Sequence, residues 1–413
     1  MSFIKSMQIY IKGKLHSQSY ISSELVTLLF VHGIFLLGVG LSNTFINIFL
    51  WKENQSLKIV IMYNLLQFAT TPLFFMLAGW LAKKVTLTAT LRIGIICYSI
   101  LFIVLLLLQS EASKYVWLLG ILMGISCGFY YMSYNVLGYD FSSDQNRDFV
   151  MGIQGLVVSF ATMVAPFAAG VIIQYLSGNK GYITVFSLSL ILFIIAAVLS
   201  FRIPNKRIDK HYYLKSILFM PFRKKNWALV MAGESLRGFR EGVMAFLTNI
   251  LLYAIVNSEM VLGSYTLIVS GIQLFSFYVI AGRMKPYTRK GYMMVGAIAL
   301  ALVSSVFMLK INVVTLFIYG IISSFFITFI NNPTASIIYW VIHKTPNSAK
   351  RRIEGIAVRE VYLNLGRVAG VSLLLLISEN IQVIPVIIFI LGLSQLLMWY
   401  LFNKVQMEQS LVE

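Results

Sequence analysis

Acidic side chains are scarce in this chain: 15 Asp and Glu stand among 413 residues, against 33 Lys and Arg, and charged residues make up only 12%. An average globular protein carries roughly 25%, so the charges present are too few to cover a folded surface in water. Cysteine is nearly absent. Cys97 and Cys127 both fall inside apolar runs, apart from any CxxC or Cys/His spacing, which argues against a disulfide framework and a zinc site. Neither a HExxH string nor a Walker A lysine loop occurs, arguing against a metalloprotease and against ATP-driven pumping by this chain. The string Gly124-Ile125-Ser126-Cys127-Gly128 matches G-x-S-x-G, yet it lies inside an apolar run where the strand-turn-helix of a nucleophile elbow cannot form. Gly120, Gly124 and Gly128 recur every four residues, as close helix packing requires. No enzyme or cofactor site is expected.

What is abundant is apolar length, with 59% of residues hydrophobic. Runs near the length that crosses a bilayer fall at about 25–50, 59–82, 93–109, 116–139, 149–175 and 183–201. A second set follows at about 227–256, 261–282, 292–309, 313–342, 356–377 and 384–402. The expectation is an all-α membrane protein of about twelve spans: an N-terminal bundle over 1–201, a basic linker over 202–226 and a C-terminal bundle over 227–413. The polar start, residues 1–24, lacks the apolar core of a cleavable leader, so the first span is expected to stay in place.

Location decides what the formal charge of +18 means. Most Lys and Arg sit in the linker and after even-numbered runs, whereas Lys52, Lys58, Lys114, Lys180 and Lys310 occupy the other side. That bias predicts both termini and the linker to be cytoplasmic. The surplus is therefore topological, compatible with contact to anionic lipid, and does not point to nucleic acid.

Two sets of six runs around a basic linker resemble the major facilitator superfamily, built from related six-helix repeats around a midplane site. In the fifth run Ala161, Ala165, Pro166, Ala169 and Gly170 look like an alanine-rich version of its G-x3-G-P-x2-G-G element, typical of proton-linked exporters. The stretch Gly79-Trp80-Leu81-Ala82-Lys83-Lys84-Val85-Thr86 is similar in position to its G-x3-D-[RK]-x-G gating loop. Here Lys83 replaces the usual acid and Thr86 the glycine, and the copy at Gly282-Arg283-Met284-Lys285-Pro286 is also degraded. Asp140, Asp144, Arg147 and Asp148 resemble the acidic-Arg cluster after the fourth helix, with Lys83 or Lys84 as expected partners. The chain looks like a YqgE-like branch of bacterial permeases. The resemblance implies a monomeric secondary carrier in a bacterial plasma membrane, working by alternating access, with gating residues Lys83, Lys84, Asp140, Asp144, Arg147, Pro166 and Gly170.

Seven acidic or Arg residues lie inside the runs, all in the seventh and eleventh: Glu234, Arg237, Arg240 and Glu241, then Arg359, Glu360 and Arg367. Ionised groups at membrane depth cost several kcal/mol unless paired or wet, so by default they face a bundle interior. Glu234, Arg237 and Glu241 follow i, i+3, i+4 spacing and share a helix face, as do Glu360, Asn364 and Arg367. Arg240 points roughly 100° from Glu241. Counting from Trp227 and Ile356, Arg240 and Arg367 lie roughly 20 Å and 16 Å into the membrane at about 1.5 Å per residue.

One reading makes Glu234, Glu241 or Glu360 the proton carrier, influenced by Arg237 and Arg359, with Arg240, Arg367 and Asn364 gripping an anionic group on the substrate. The other makes the cluster a structural ion-pair network; Arg359, near its span's start, could equally snorkel. The first half offers Asn43 and Asn47, Tyr131, Tyr134 and Asn135 as neutral substrate contacts, or as ordinary packing. His32 fits a helix-to-helix hydrogen bond, and Asn331-Asn332-Pro333 a hinge or a cavity wall. Three functions remain open: a proton-coupled carrier of an anionic solute, with efflux favoured over uptake; a flippase for an amphipathic lipid or lipid-linked sugar; and a non-transporting receptor or assembly partner.

Overall fold

The computed structural model describes residues 22–141, 147–176, 179–205, 211–280, 283–345, 347–377 and 381–406. Among them there is no strand. The long helices are α1 (Ser23–Asn54), α2 (Leu57–Lys84), α3 (Leu87–Leu108), α4 (Val116–Phe141), α5 (Arg147–Leu176) and α6 (Asn179–Ser200), then α7 (Lys225–Val256), α8 (Glu259–Ile280), α9 (Arg289–Ser304), α10 (Val313–His343), α11 (Ser348–Ile377) and α12 (Ile384–Asn403). Eleven described stretches are long and apolar enough to cross a membrane; one of them, Leu87–Phe141, contains both α3 and α4 joined by a 3-10 turn. In a bilayer such helices satisfy their own backbone polar groups, which makes this architecture available to so apolar a chain.

Local chemistry sets the boundaries. Ser22 caps α1 through the Leu25 N–H, Thr86 caps α3 through the Ala89 N–H, and Asn312 with Thr315 forms a reciprocal capping box on α10. Gln55 and Asn257 end α1 and α7 in left-handed conformations, φ 47° and 49°.

Within the first six helices α2 packs on α4, α3 on α4 and α6, and α1 on α5 and α6. Within the last six α7 packs on α11 and α12, α9 on α10 and α12, and α8 on α10. Two seams join the sets, α5 against α8 and α2 against α11. Buried apolar side chains of both sets form one continuous cluster. Glycines let the backbones touch: a methyl on Gly124 would lie 2.8 Å from the Gln67 carbonyl oxygen, and one on Gly120 2.7 Å from that of Tyr63. Gly120, Gly124 and Gly128 thus form the contact stripe between α4 and α2.

Candidate substrate and coupling site

The charged face of α7 meets the charged face of α11 about halfway along both helices. The approach is made possible by four glycines at i, i+4 spacing. A methyl on Gly238 would overlap the Leu363 carbonyl oxygen, one on Gly366 that of Ser235, and one on Gly370 that of Phe239. On Gly242 it would stand 2.8 Å from the Arg367 Cα. With the backbones in contact, side chains on one helix reach carboxylates on the other.

They close a circuit. Arg237 binds Glu234 bidentately, Nε to Oε1 at 2.8 Å and Nη2 to Oε2 at 3.1 Å, and donates from Nη1 to Glu241 Oε2 at 2.8 Å. Glu241 Oε1 accepts from Arg367 Nη2 at 2.6 Å. Arg367 Nη1 stands 3.5 Å from Glu360 Oε1, and Glu360 Oε2 lies 3.7 Å from Arg359 Nη1. Arg359 Nε returns to Glu234 Oε2 at 2.8 Å. Three carboxylates and three guanidiniums therefore alternate around a closed, electroneutral ring that staples α7 to α11. Asn364 sits inside it, donating to Glu360 Oε1 at 2.9 Å and accepting from Arg367 Nη1 at 3.3 Å. Arg359 joins this ring and does not snorkel. Charges removed from water need such mutual pairing, because a lone buried ion costs several kcal/mol. The ring is uneven: the Glu234 side chain is fully buried, the Glu241 side chain is 39% exposed, and Glu360 has the longest ion-pair distances.

Arg240 stands outside the ring. It is 7% exposed, donates from Nη2 to the Tyr319 hydroxyl on α10 at 2.8 Å, and its buried Nε–H has no acceptor among the described residues. Asp140, expected to partner Lys83 or Lys84, is instead engaged by Arg352 at 2.6 Å.

Opposite the ring is a wall of aromatic rings from α1 and α4. His32 Nδ1 is 2.9 Å from the Tyr130 hydroxyl, and its ring stacks on Tyr134 with centroids 3.6 Å apart. Phe35 stacks on Tyr130 at 3.5 Å. Tyr131 and Cys127 lie within electrostatic reach of Arg367 and Glu360, and Arg367 also caps the Phe68 ring of α2 at 5.3 Å. Asn47 does not join this wall: it accepts from Asn64 Nδ2 at 2.7 Å and donates to the Asn43 carbonyl at 3.1 Å, locking α1 to α2. Asn43 is exposed, Asn135 half-buried. Neither is brought to the charged ring by any contact described. Asn331 approaches Arg237 Nη1 at 3.5 Å, so its side chain faces the ring.

Each end of the molecule carries a buried carboxylate tying the two helix sets together. At the linker end, Lys83 on α2 meets Glu354 on α11 at 2.5 Å, both side chains essentially fully buried. Lys83 also donates to the backbone carbonyls of His211 and Lys350, while the Tyr213 N–H donates to Glu354 at 2.8 Å. The Tyr212 hydroxyl donates to the Met76 carbonyl at 2.9 Å and stays protonated, because burial and the nearby Glu354 carboxylate push its pKa upward. This replaces the expected partnership of Lys83 with Asp140. Lys84 lies over the Trp80 ring at 3.8 Å. Asp144, Gly282 and the side chains of Arg147 and Asp148 lie outside the described residues. At the opposite end one oxygen of Glu259 accepts from Lys52 at 3.0 Å, Tyr182 at 3.0 Å and Tyr253 at 2.8 Å. Pro166 and Gly170 sit on that same seam: a methyl on Gly170 would lie 2.5 Å from the Glu259 carbonyl oxygen, and one on Gly263 2.9 Å from that of Pro166.

A model of the Major Facilitator Superfamily matches residues 28–345. The chain belongs to that superfamily. Within it, the chain is 32% identical over 394 residues to YqgE of Bacillus subtilis, covering 94% of this chain and 91% of that one. A protein from the sodM 3' region of Geobacillus stearothermophilus is 42% identical over 173 residues, 42% of this chain and 81% of that one. Solved structures of the same fold include the human organic anion transporter MFSD10, with TM-score 0.70 at 12% identity over 92% of this chain and 100% of that one. The nucleoside transporter NupG gives 0.69 at 15% identity, over 93% and 100%. The E. coli fucose:proton symporter FucP gives 0.68 at 13%, over 93% and 98%. This superfamily member is thus a multi-pass membrane protein with a transporter fold, not an enzyme.

Sequence reasoning missed three residues of these sites. Glu354 and Glu259 fall at or beyond the ends of apolar runs, where an acid is expected to be solvated. The inverted charge at Lys83 was the available signal for Glu354, since a buried lysine requires an anion. Tyr319 had no signal, because nothing along the chain places one tyrosine of α10 beside one arginine of α7.

Proposed function

We infer that the chain is a secondary carrier that exports an organic solute bearing an anionic group across a bacterial plasma membrane by alternating access, in exchange for protons. What carries this reading is the charge balance at mid-helix: the ring neutralises itself and leaves one guanidinium over, so the interior has a standing attraction for a single anion. The α5 to α8 and α2 to α11 seams, each secured by a buried carboxylate, are the places where the two sets of helices would separate in turn. Glu360 is the proposed proton acceptor, because its two guanidinium partners are the farthest of any carboxylate in the ring. Glu241, the most exposed, is proposed to yield Arg367 when solute enters. Export is assigned from Pro166 and Gly170, whose element resembles that of proton-linked exporters. The bacterial relatives and the basic linker support a plasma-membrane location with the linker cytoplasmic.

The test is solute flux in proteoliposomes under an imposed pH gradient. Wild-type protein should drive anionic solute against its gradient, and Glu360→Gln should transport with no response to pH. A wild-type flux indifferent to the gradient would remove proton coupling; absence of flux for every anion tried would remove the carrier reading itself.

A further inference from the structure

We propose that Arg240 and Tyr319 form the anion subsite of this carrier and that it accepts one singly charged oxyanion, a carboxylate or sulfonate, on an organic body. The proposal rests on the carrier reading above and names the substrate class that the reading leaves open.

Charge is the first observation. The three mid-helix carboxylates of α7 and α11 are engaged by Arg237, Arg359 and Arg367 in a closed circuit, and Glu354 at the linker end is held by Lys83, so none is left to neutralise Arg240. No described carboxylate lies within ion-pair distance of Arg240, although its neighbour in sequence is Glu241. The reason is helical: successive side chains diverge by roughly 100°, which sends Glu241 to the α11 side and Arg240 toward α10. A guanidinium cannot shed its proton at physiological pH, so burial does not relieve the charge as it would for lysine.

Hydrogen bonding is the second. Arg240 Nη2 donates to the Tyr319 oxygen, which leaves the phenolic O–H of Tyr319 free to donate in turn. Arg240 Nε–H is buried without an acceptor. Two donors, one charged and one neutral, are thus left on a hydrogen-bonded pair of buried side chains: Arg240 is 7% exposed and Tyr319 3%. Tyr319 packs with its ring 5.0 Å from Phe307 on the 3-10 turn after α9, which positions its oxygen while the O–H stays free to turn toward an acceptor. An oxyanion placing one oxygen on each donor satisfies both and cancels the surplus charge. A dianion would bring a second negative charge for which no cation remains, and a neutral analogue would leave the guanidinium uncompensated; both are therefore disfavoured. Tyr131, half-buried at the edge of the aromatic wall and within electrostatic reach of Arg367, offers an aromatic ring for an organic body.

The experiment uses the full chain in proteoliposomes and in detergent, with methanesulfonate, naphthalene monosulfonate, naphthalene disulfonate and the neutral naphthalene sulfonamide as probes. Sulfonates are chosen because they stay ionised and do not cross lipid as neutral acids. Wild-type protein should bind and transport the monosulfonates and should discriminate at least tenfold against the disulfonate and the sulfonamide. Arg240→Gln should lose at least tenfold in affinity for the monosulfonate; Tyr319→Phe, which removes one oxygen and keeps the ring, should lose about threefold to tenfold. Lys114→Gln, on the exposed turn after α3 and outside the proposed site, serves as reference. If Arg240→Gln fails to fold, Tyr319→Phe decides alone. Anion flux with unchanged affinity in both variants would overturn this subsite while leaving the carrier reading intact. Equal handling of the disulfonate or the sulfonamide would overturn the single-charge assignment. No binding or flux of any monoanion in wild-type protein would overturn both.

Discussion

The two halves of the interior solve the problem of polar groups at membrane depth in opposite ways. On α7 and α11 the polar groups are ions, and all of them but Arg240 are tolerated because opposite charges bracket them, on the same helix or on a neighbouring backbone brought within touching distance by glycine. On α1 and α4 they are hydroxyls and an imidazole, stacked or paired: His32 meets the Tyr130 hydroxyl and stacks on Tyr134. A neutral pair lost from the second wall leaves little behind. An ion lost from the first leaves its counter-ions stranded, so the first wall is brittle and responsive, the second a tolerant surface.

That contrast can be broken most decisively at Glu234. It is fully buried between Arg237 and Arg359, and Glu234→Gln leaves two guanidiniums facing each other. A loss of about 3–5 kcal/mol is expected, read as a collapse of monodisperse protein in size-exclusion chromatography and of thermal stability. Near-normal stability would mean that the ring is wetter than its burial implies.

Next in size is the linker-end pair. Lys83→Met or Glu354→Met should each cost about 3 kcal/mol, because one buried charge is stranded, whereas the double variant should recover much of the loss. A double-mutant cycle on thermal unfolding measures the coupling, and additive losses would deny that the pair acts as a unit.

Gly366→Ala drives a methyl into the Ser235 carbonyl and should cost about 1–3 kcal/mol. Gly124→Ala, its counterpart between α4 and α2, should cost a similar amount, since backbone approach is common to both halves even though charge is not. A tolerated Gly366→Ala with an intact ring would show that the ring alone holds α7 to α11.

The smallest effect belongs to His32→Phe, which keeps the stack on Tyr134 and forfeits one hydrogen bond. About 0.5–1 kcal/mol is expected, measured by the same melt; a loss as large as that of Glu234→Gln would erase the distinction between the two walls.

Much of this was legible along the chain. Apolar runs marked the helices because a bilayer leaves the backbone few alternatives. The spacing of Glu234, Arg237 and Glu241 placed them on one face because helix geometry is local. Arg359 was ambiguous because depth counted from an apolar boundary misjudged α11, which begins at Ser348 rather than near Ile356. Asp140 was matched to the wrong cation for a related reason: several loops converge at the linker end, and sequence does not say which basic residue arrives nearest.

The sequence by itself determined that the acidic and Arg residues inside the apolar runs are confined to the seventh and eleventh, that positive exceeds negative there by one, and which side chains share a face, since these depend only on composition and on a fixed helical repeat. Only the tertiary structure decided that six of those charges form a closed ring, that Arg240 is the one outside it with Tyr319 as its neighbour, and that Glu354 and Glu259 fasten opposite ends. Those facts depend on which helices touch and at what height, which is fixed by glycine contacts and packing between segments far apart along the chain, 79 residues for Arg240 and Tyr319 and 271 for Lys83 and Glu354.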